Sequence, residues 1–139
     1  MNRLVLDTHI FVWFVNGDVQ VGQQTRAEIN RIAKLGGVHI SAITPWEISM
    51  LAAKGRIAFS KDIKDWIDSA LSSIYACLEP LSIDVAVAST RLPGAIHGDP
   101  ADRIIVATAR SLSARLVTVD EKLLSYAKAG NLRVLEGSR

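Results

Sequence analysis

The chain has 139 residues, of which 49% are hydrophobic and 22% charged, a size and composition suited to a globular domain with its own core. Sixteen Lys and Arg stand against 14 Asp and Glu, for a formal net charge of +2, which excludes a strongly basic nucleic-acid-binding tail and an acidic disordered segment. The single cysteine, Cys77, excludes an internal disulfide and a cysteine-based zinc site, and makes a reducing cytoplasm the expected setting.

The longest wholly apolar run, Ile10 to Val15, is too short to cross a bilayer, and nothing before Asp7 reads as a signal peptide. No linker, repeat or long charge block interrupts the chain, so residues 1–139 are expected to form one domain. Short β-rich runs alternate with helical periods, the pattern of an α/β fold.

Leu4-Val5-Leu6 predicts a central parallel strand buried on both faces. A helix begins over Ile10 to Phe14, and a second, weakly amphipathic one covers about Gln23 to Lys34, ended by Gly36-Gly37. Val38-His39-Ile40 is the next strand. In Thr44-Pro45-Trp46-Glu47, Thr44 is expected as an N-cap, Pro45 as the first helical residue and Glu47 as the partner in a capping box. Gly55 stops this helix. Ser60 opens the clearest amphipathic helix, with Ile63, Trp66, Ile67, Ala70, Leu71 and Ile74 on one stripe.

A short extended run lies near Cys77 to Leu81, with Cys77 read as a small buried hydrophobe. Asp84 to Arg91 predicts a helix closed by Pro93-Gly94. Asp99-Pro100-Ala101-Asp102 starts another, with Asp99 as N-cap and Pro100 first. Its continuation, Ile104 to Ala109, is apolar nearly all round and is expected to be central. Leu116 to Val119 is a buried-type strand ending at Asp120. A short helix through Leu124 and a strand over Leu132 to Leu135 complete the order.

The acids fall where such a fold places ligands. Asp7 and Asp120 each follow a strand, while Glu47, Asp99 and Asp102 sit in first turns of helices. Parallel α/β sheets bind ligands beyond the carboxyl ends of their strands, near a topological switch point. Separate segments therefore deliver carboxylates to one rim. Clustered carboxylates repel and raise one another's pKa, and a hard cation such as Mg²⁺ relieves the repulsion through oxygen ligands. Such a cation can activate water and steady phosphoryl displacement, so the pattern suggests phosphodiester hydrolysis. Each acid also has a local reading. Asp7, Asp99 and Asp120 serve equally as helix caps, Glu47 as a capping-box residue and Asp102 as a first-turn acid favoured by the helix dipole.

Four motifs occur in order: Leu4-Val5-Leu6-Asp7-Thr8-His9, Ser41 to Ile48 around Pro45-Trp46-Glu47, His97-Gly98-Asp99-Pro100-Ala101-Asp102-Arg103 with the apolar run after it, and Leu116-Val117-Thr118-Val119-Asp120. Together the chain resembles PIN domains, and among them the VapC toxins of bacterial toxin–antitoxin pairs. The resemblance implies a three-layer α/β/α sandwich around a mainly parallel sheet. It implies an endoribonuclease dependent on Mg²⁺ or Mn²⁺, acting on an RNA substrate. It further implies a homodimer held in a heteromeric complex by a VapB-type antitoxin. Carried over by motif, Asp7, Glu47, Asp102 and Asp120 are the catalytic and metal-binding acids, with Asp99 supporting. Thr8 and Thr118 are candidates for orienting ligands, with ordinary turn or strand hydrogen bonding as the local alternative. His9 stands where Asn or Ser is common in the family.

His9 and His97 could touch RNA or be plain surface residues. Trp66 is expected in the core, Trp13 in the core or a dimer interface, and Trp46 beside the acids could stack on bases. Arg103 could contact phosphate or pair with Asp102. Lys54, Arg56, Lys61 and Lys64 could guide an RNA backbone or form a solvated face. Two other functions compete. A receiver-like phosphoacceptor also clusters acids at strand ends, but needs a second acid before the first helix and a Lys after the last strand, for which Arg133 is a poor substitute. A non-catalytic RNA- or protein-binding module is the other.

Overall fold

The computed structural model describes residues 2–139. Its sheet is formed by β1 (Leu4–Leu6), β2 (Val38–Ser41), β3 (Cys77–Glu79), β4 (Arg115–Thr118) and β5 (Val134–Glu136). All pairings are parallel and the order is β3-β2-β1-β4-β5. The helices are α1 (Thr8–Val15), α2 (Gln23–Lys34), α3 (Ile43–Ala53), α4 (Ile63–Ser73), α5 (Ile83–Ser89), α6 (Pro100–Ser111) and α7 (Glu121–Lys128).

The alternation of strand side chains sorts the core into two layers. Leu4 and Leu6 of β1 face a cluster with Ile10, Phe11, Ile29, Ile32, Ile48, Trp66 and Ile67, while Val5 between them faces Ile105, Val106, Ala109, Leu123 and Tyr126. The sheet thus has α1, α2 and α4 against one face and α6 and α7 against the other, the α/β/α sandwich expected. Leu4, Val5 and Leu6 are fully enclosed, and each such aliphatic side chain contributes roughly 1.5–3 kcal/mol of burial free energy.

From central β1 the chain runs outward through β2 to β3, then crosses back to lay β4 on the other side of β1 and β5 beyond it. The connection reverses direction between β1 and β4. At that seam the carboxyl ends of neighbouring parallel strands diverge and leave a crevice. The Asp7 amide still reaches across it to the Val117 carbonyl at 3.0 Å.

Several elements differ from expectation, each for a local reason. α1 starts at Thr8, two residues before Ile10, because Asp7 caps it. α3 begins at Ile43, so Pro45 is its third residue, still within the turn where a missing N–H goes unfelt. Thr44 is not the N-cap and Glu47 closes no capping box: α3 has no side-chain cap on its N-cap residue Ala42, and the Ser41 hydroxyl takes the Ile43 amide instead at 3.2 Å. α4 opens after Asp62, whose carboxylate accepts from the Lys64 and Asp65 amides, and not at Ser60. α5 occupies Ile83–Ser89, with Ser82 capping it through the Val85 amide. β5 is Val134–Glu136, one strand position later than the apolar run; Leu132 instead enters the core. Cys77 is exposed. Its strand is the outer edge of the sheet, which a short apolar run cannot announce.

Trp66 is in the core, edge-on to Phe11. Lys54, Arg56, Lys61 and Lys64 are all exposed, and Lys64 pairs with Asp68 at 2.8 Å. Among the described residues no helix is long and apolar enough to cross a membrane.

Candidate active site

The crevice at the β1–β4 seam is a cleft of about 390 Å³, lined by Asp7, Glu47, Asp99, Asp102 and Asp120 together with Thr8, His9, Ile10, Trp13 and Val119. All five acids singled out in the sequence therefore meet in one place. No lysine or arginine lines the cleft.

Both readings of Asp7 and Asp120 are realised at once. Asp7 follows β1 and caps α1: its Oδ1 accepts from the Thr8 amide at 2.9 Å. Asp120 follows β4 and caps α7: its Oδ1 accepts from the Leu123 amide at 3.0 Å. Capping holds one oxygen of each carboxylate and thereby aims the group. Thr118 ties the two strand ends together. Its hydroxyl, fully enclosed, donates to Asp7 Oδ2 at 2.7 Å and accepts from the Asp120 amide at 3.0 Å.

Glu47 is held from α1. The Thr8 hydroxyl donates to Glu47 Oε1 at 2.6 Å, and the Thr44 hydroxyl lies 3.1 Å from that of Thr8. With the Thr8 proton committed to Glu47, Thr44 is the donor to Thr8. The three groups form a relay from a buried hydroxyl to a carboxylate at the cleft. Thr44, expected as a cap, is thus a support of the site. Its capping-type spacing hid this, because the contact runs between α1 and α3.

Asp99 caps α6 through the Asp102 amide at 3.1 Å, leaving the Asp102 side chain free to face the cleft. His97 approaches Asp102 from the preceding loop, its Nε2 2.7 Å from Asp102 Oδ2. Arg103 turns away from Asp102 and donates to the His97 carbonyl at 3.2 Å, which pins the loop. Sequence reading treated His97 as a rim residue. Five positions ahead of Asp102 in an irregular loop, it has no periodicity to betray the contact. His9 is exposed and lies over Trp13, ring centroids 5.6 Å apart.

Asp7, Glu47 and Asp102 hold their protons more tightly than ordinary acids. Burial, and then the Asp102 charge, raise the Asp7 pKa against the lowering influence of the Thr118 hydrogen bond. Burial and the charges of Asp99 and Asp120 raise that of Asp102, opposed by His97. Glu47 is pushed up from 4.5 to about 7, first by burial and then by the charges of Asp7, Asp102 and Asp99. Buried acids that oppose one another's ionisation, with no lysine or arginine lining the cleft, fit a hard divalent cation with oxygen ligands and retained water. As placed, no three His, Cys, Asp or Glu side chains among the described residues stand close enough to hold one ion together. Glu47 is turned to Thr8 and Asp102 to His97.

The fold and the acid-lined seam define a class. The chain matches the PIN-domain family over residues 4–129 and belongs to it. It is 29% identical over 126 residues to ribonuclease VapC22 of Mycobacterium tuberculosis, an alignment covering 91% of this chain and 93% of that protein. Its fold is similar to that of VapBC2 from Rickettsia felis, solved bound to a DNA fragment from its promoter, with TM-score 0.70, 22% identity and coverage of 95% and 96% of the two chains. A toxin–antitoxin complex from Klebsiella pneumoniae matches with TM-score 0.65, 23% identity and coverage of 96% and 97%.

Proposed function

We propose that this protein is an endoribonuclease dependent on Mg²⁺ or Mn²⁺, the toxin of a cytoplasmic toxin–antitoxin pair. The observation that carries the reading is the convergence of Asp7, Glu47, Asp99, Asp102 and Asp120 on one cleft at the switch point of a PIN fold. The similarity to ribonuclease VapC22 supports RNA as the substrate.

Asp7 and Asp102 would hold the principal cation, with Glu47 and Asp120 completing the set. Bound there, a divalent cation supplies positive charge to a scissile phosphate and acidity to water. The chain's own groups do the rest. Thr118 fixes the direction of Asp7, and His97 that of Asp102. Thr8 and Thr44 set Glu47, whose raised pKa a bound cation would lower again. Asp99 supports Asp102 by closing the first turn of α6. In-line attack of water on phosphorus, with the P–O3′ bond breaking, the water losing a proton and the leaving 3′ oxygen gaining one, would leave the 5′-phosphate and 3′-hydroxyl that the family resemblance implies. A receiver-like role has no counterpart for its lysine in this cleft. The solved toxin–antitoxin relatives support a VapB-type antitoxin as partner; a homodimer is the assembly the family resemblance implies.

The test is cleavage of single-stranded RNA by the purified chain with and without Mg²⁺ or Mn²⁺. Wild type should cut only with the cation, and Asp7→Asn should not cut at all. Undiminished cleavage by Asp7→Asn, or by wild type in excess chelator, would refute the mechanism. Product ends are read by susceptibility to a 5′-phosphate-dependent exonuclease.

A further inference from the structure

Beside the acidic cleft lies a second hollow that the hydrolytic chemistry does not use. It has a volume of about 310 Å³ and lies between one face of α3 and the first turns of α6. Ile43, Trp46, Glu47 and Met50 recur at helical spacing and so share that face. Pro100, Ala101 and Ile104 supply the opposite wall. Glu47 and Asp99 line both hollows, so the apolar one opens beside the carboxylates. Trp46 is 55% exposed, although a tryptophan carries one of the largest apolar surfaces of any residue.

We propose that this hollow is a nucleobase subsite, in which Trp46 stacks on the base of a nucleotide next to the phosphate held at the acids. The inference rests on the ribonuclease reading and deepens it. Three features favour a base over other occupants. The hollow is at the small end of ligand pockets, which start at about 300 Å³, a size that suits one planar ring. Its walls are apolar, while its rim carries the carboxyl groups of Glu47 and Asp99, whose oxygens accept hydrogen bonds from N–H donors on the edge of a planar ring. It also adjoins the proposed position of the phosphate, and bases splayed from single-stranded RNA are commonly captured on aromatic side chains.

The experiment measures binding in millimolar Mg²⁺ to a ten-nucleotide oligoadenylate and to an abasic ribose–phosphate chain of the same length. The proteins are Asp7→Asn, which cannot cut, and the same chain also carrying Trp46→Ala or Trp46→Phe. Stacking predicts that Trp46→Ala weakens oligoadenylate binding about tenfold. It should leave the abasic chain unaffected, and Trp46→Phe should retain most of the affinity. Thermal unfolding checks that the exposed truncation leaves the fold intact. Equal loss on both oligomers, or no loss on either, overturns the subsite. So does unchanged RNA affinity with dissociation of a dimer in sedimentation, which would make the hollow an interface between copies. If wild type cleaves RNA while Trp46→Ala binds like its parent, the subsite alone fails. If wild type does not cleave RNA with Mg²⁺ or Mn²⁺ and the parent does not bind it, the ribonuclease reading falls with the subsite.

Discussion

Replacing Glu47 by glutamine should make the cation-free protein more stable at alkaline pH and leave it unchanged in acid. In the folded chain Glu47 keeps its proton up to about 7, against an ordinary 4.5. Between those values the unfolded chain has released a proton that the folded chain still binds. Stability contributed by the neutral acid is therefore complete below pH 4.5 and is lost as pH rises towards 7. At 1.36 kcal/mol per pH unit the span is about 3 kcal/mol, which solvent screening of a part-exposed group reduces to about 1–2 kcal/mol. Glutamine can still accept the Thr8 hydrogen bond, so little else changes. Urea denaturation in chelator should show Glu47→Gln about 1–2 kcal/mol more stable than wild type at pH 8, and equal to it at pH 4. Mg²⁺ should narrow the difference at pH 8, because a bound cation stabilises the wild-type carboxylate and has less to gain from the amide. An equal gain at both pH values, or none at pH 8, would show that Glu47 is an ordinary solvated acid and that the repulsion argued for the cleft is absent.

Thr118→Val keeps the shape of an enclosed side chain but removes the hydroxyl that bridges Asp7 and the Asp120 amide. Loss of a hydrogen bond to a charged group should cost about 1.5–3 kcal/mol at neutral pH by denaturation. The acid limb of the pH–rate profile should move upward, since Thr118 is what lowers the Asp7 pKa; an unmoved limb would argue against the bridge. Gly22→Ala would set a Cβ 2.1 Å from the Arg139 carbonyl carbon. The backbone of residues 137–139 must then leave the start of α2, at a cost of about 1–3 kcal/mol by denaturation. The substitution should cost little in a chain ending at Glu136, and an equal cost there would discount the clash.

What could be read from the sequence depended on whether the determining contact was local. Asp7 and Asp120 were legible because a carboxylate one residue past a buried strand needs only its own strand to be placed. Asp99 and Asp102 were legible because Asp-Pro-Xaa-Asp assigns one acid to the cap and frees the other. Thr44 failed for the converse reason. Its spacing satisfies a capping rule, yet the hydroxyl of Thr8, 36 residues earlier, takes its bond. His97 was invisible because a loop residue reveals its partner only when the loop is folded. Cys77 was misjudged because strand order across the sheet is set by tertiary packing, and an edge strand and a central one can share the same short apolar run.

The arrangement of β1 bears on how the protein is made. The central strand emerges first from the ribosome, but its partner on the β4 side begins only at Arg115. Asp7 and Glu47 are therefore synthesised well before Asp102 and Asp120, and the wall of the cleft that β4 supplies forms after the β1–β2 side. The acids lie on both sides of a seam between the early and late parts of the chain. A nascent chain interrupted anywhere before Asp120 would thus lack one of its acids, which ties any harm the cleft can do to translation past that residue.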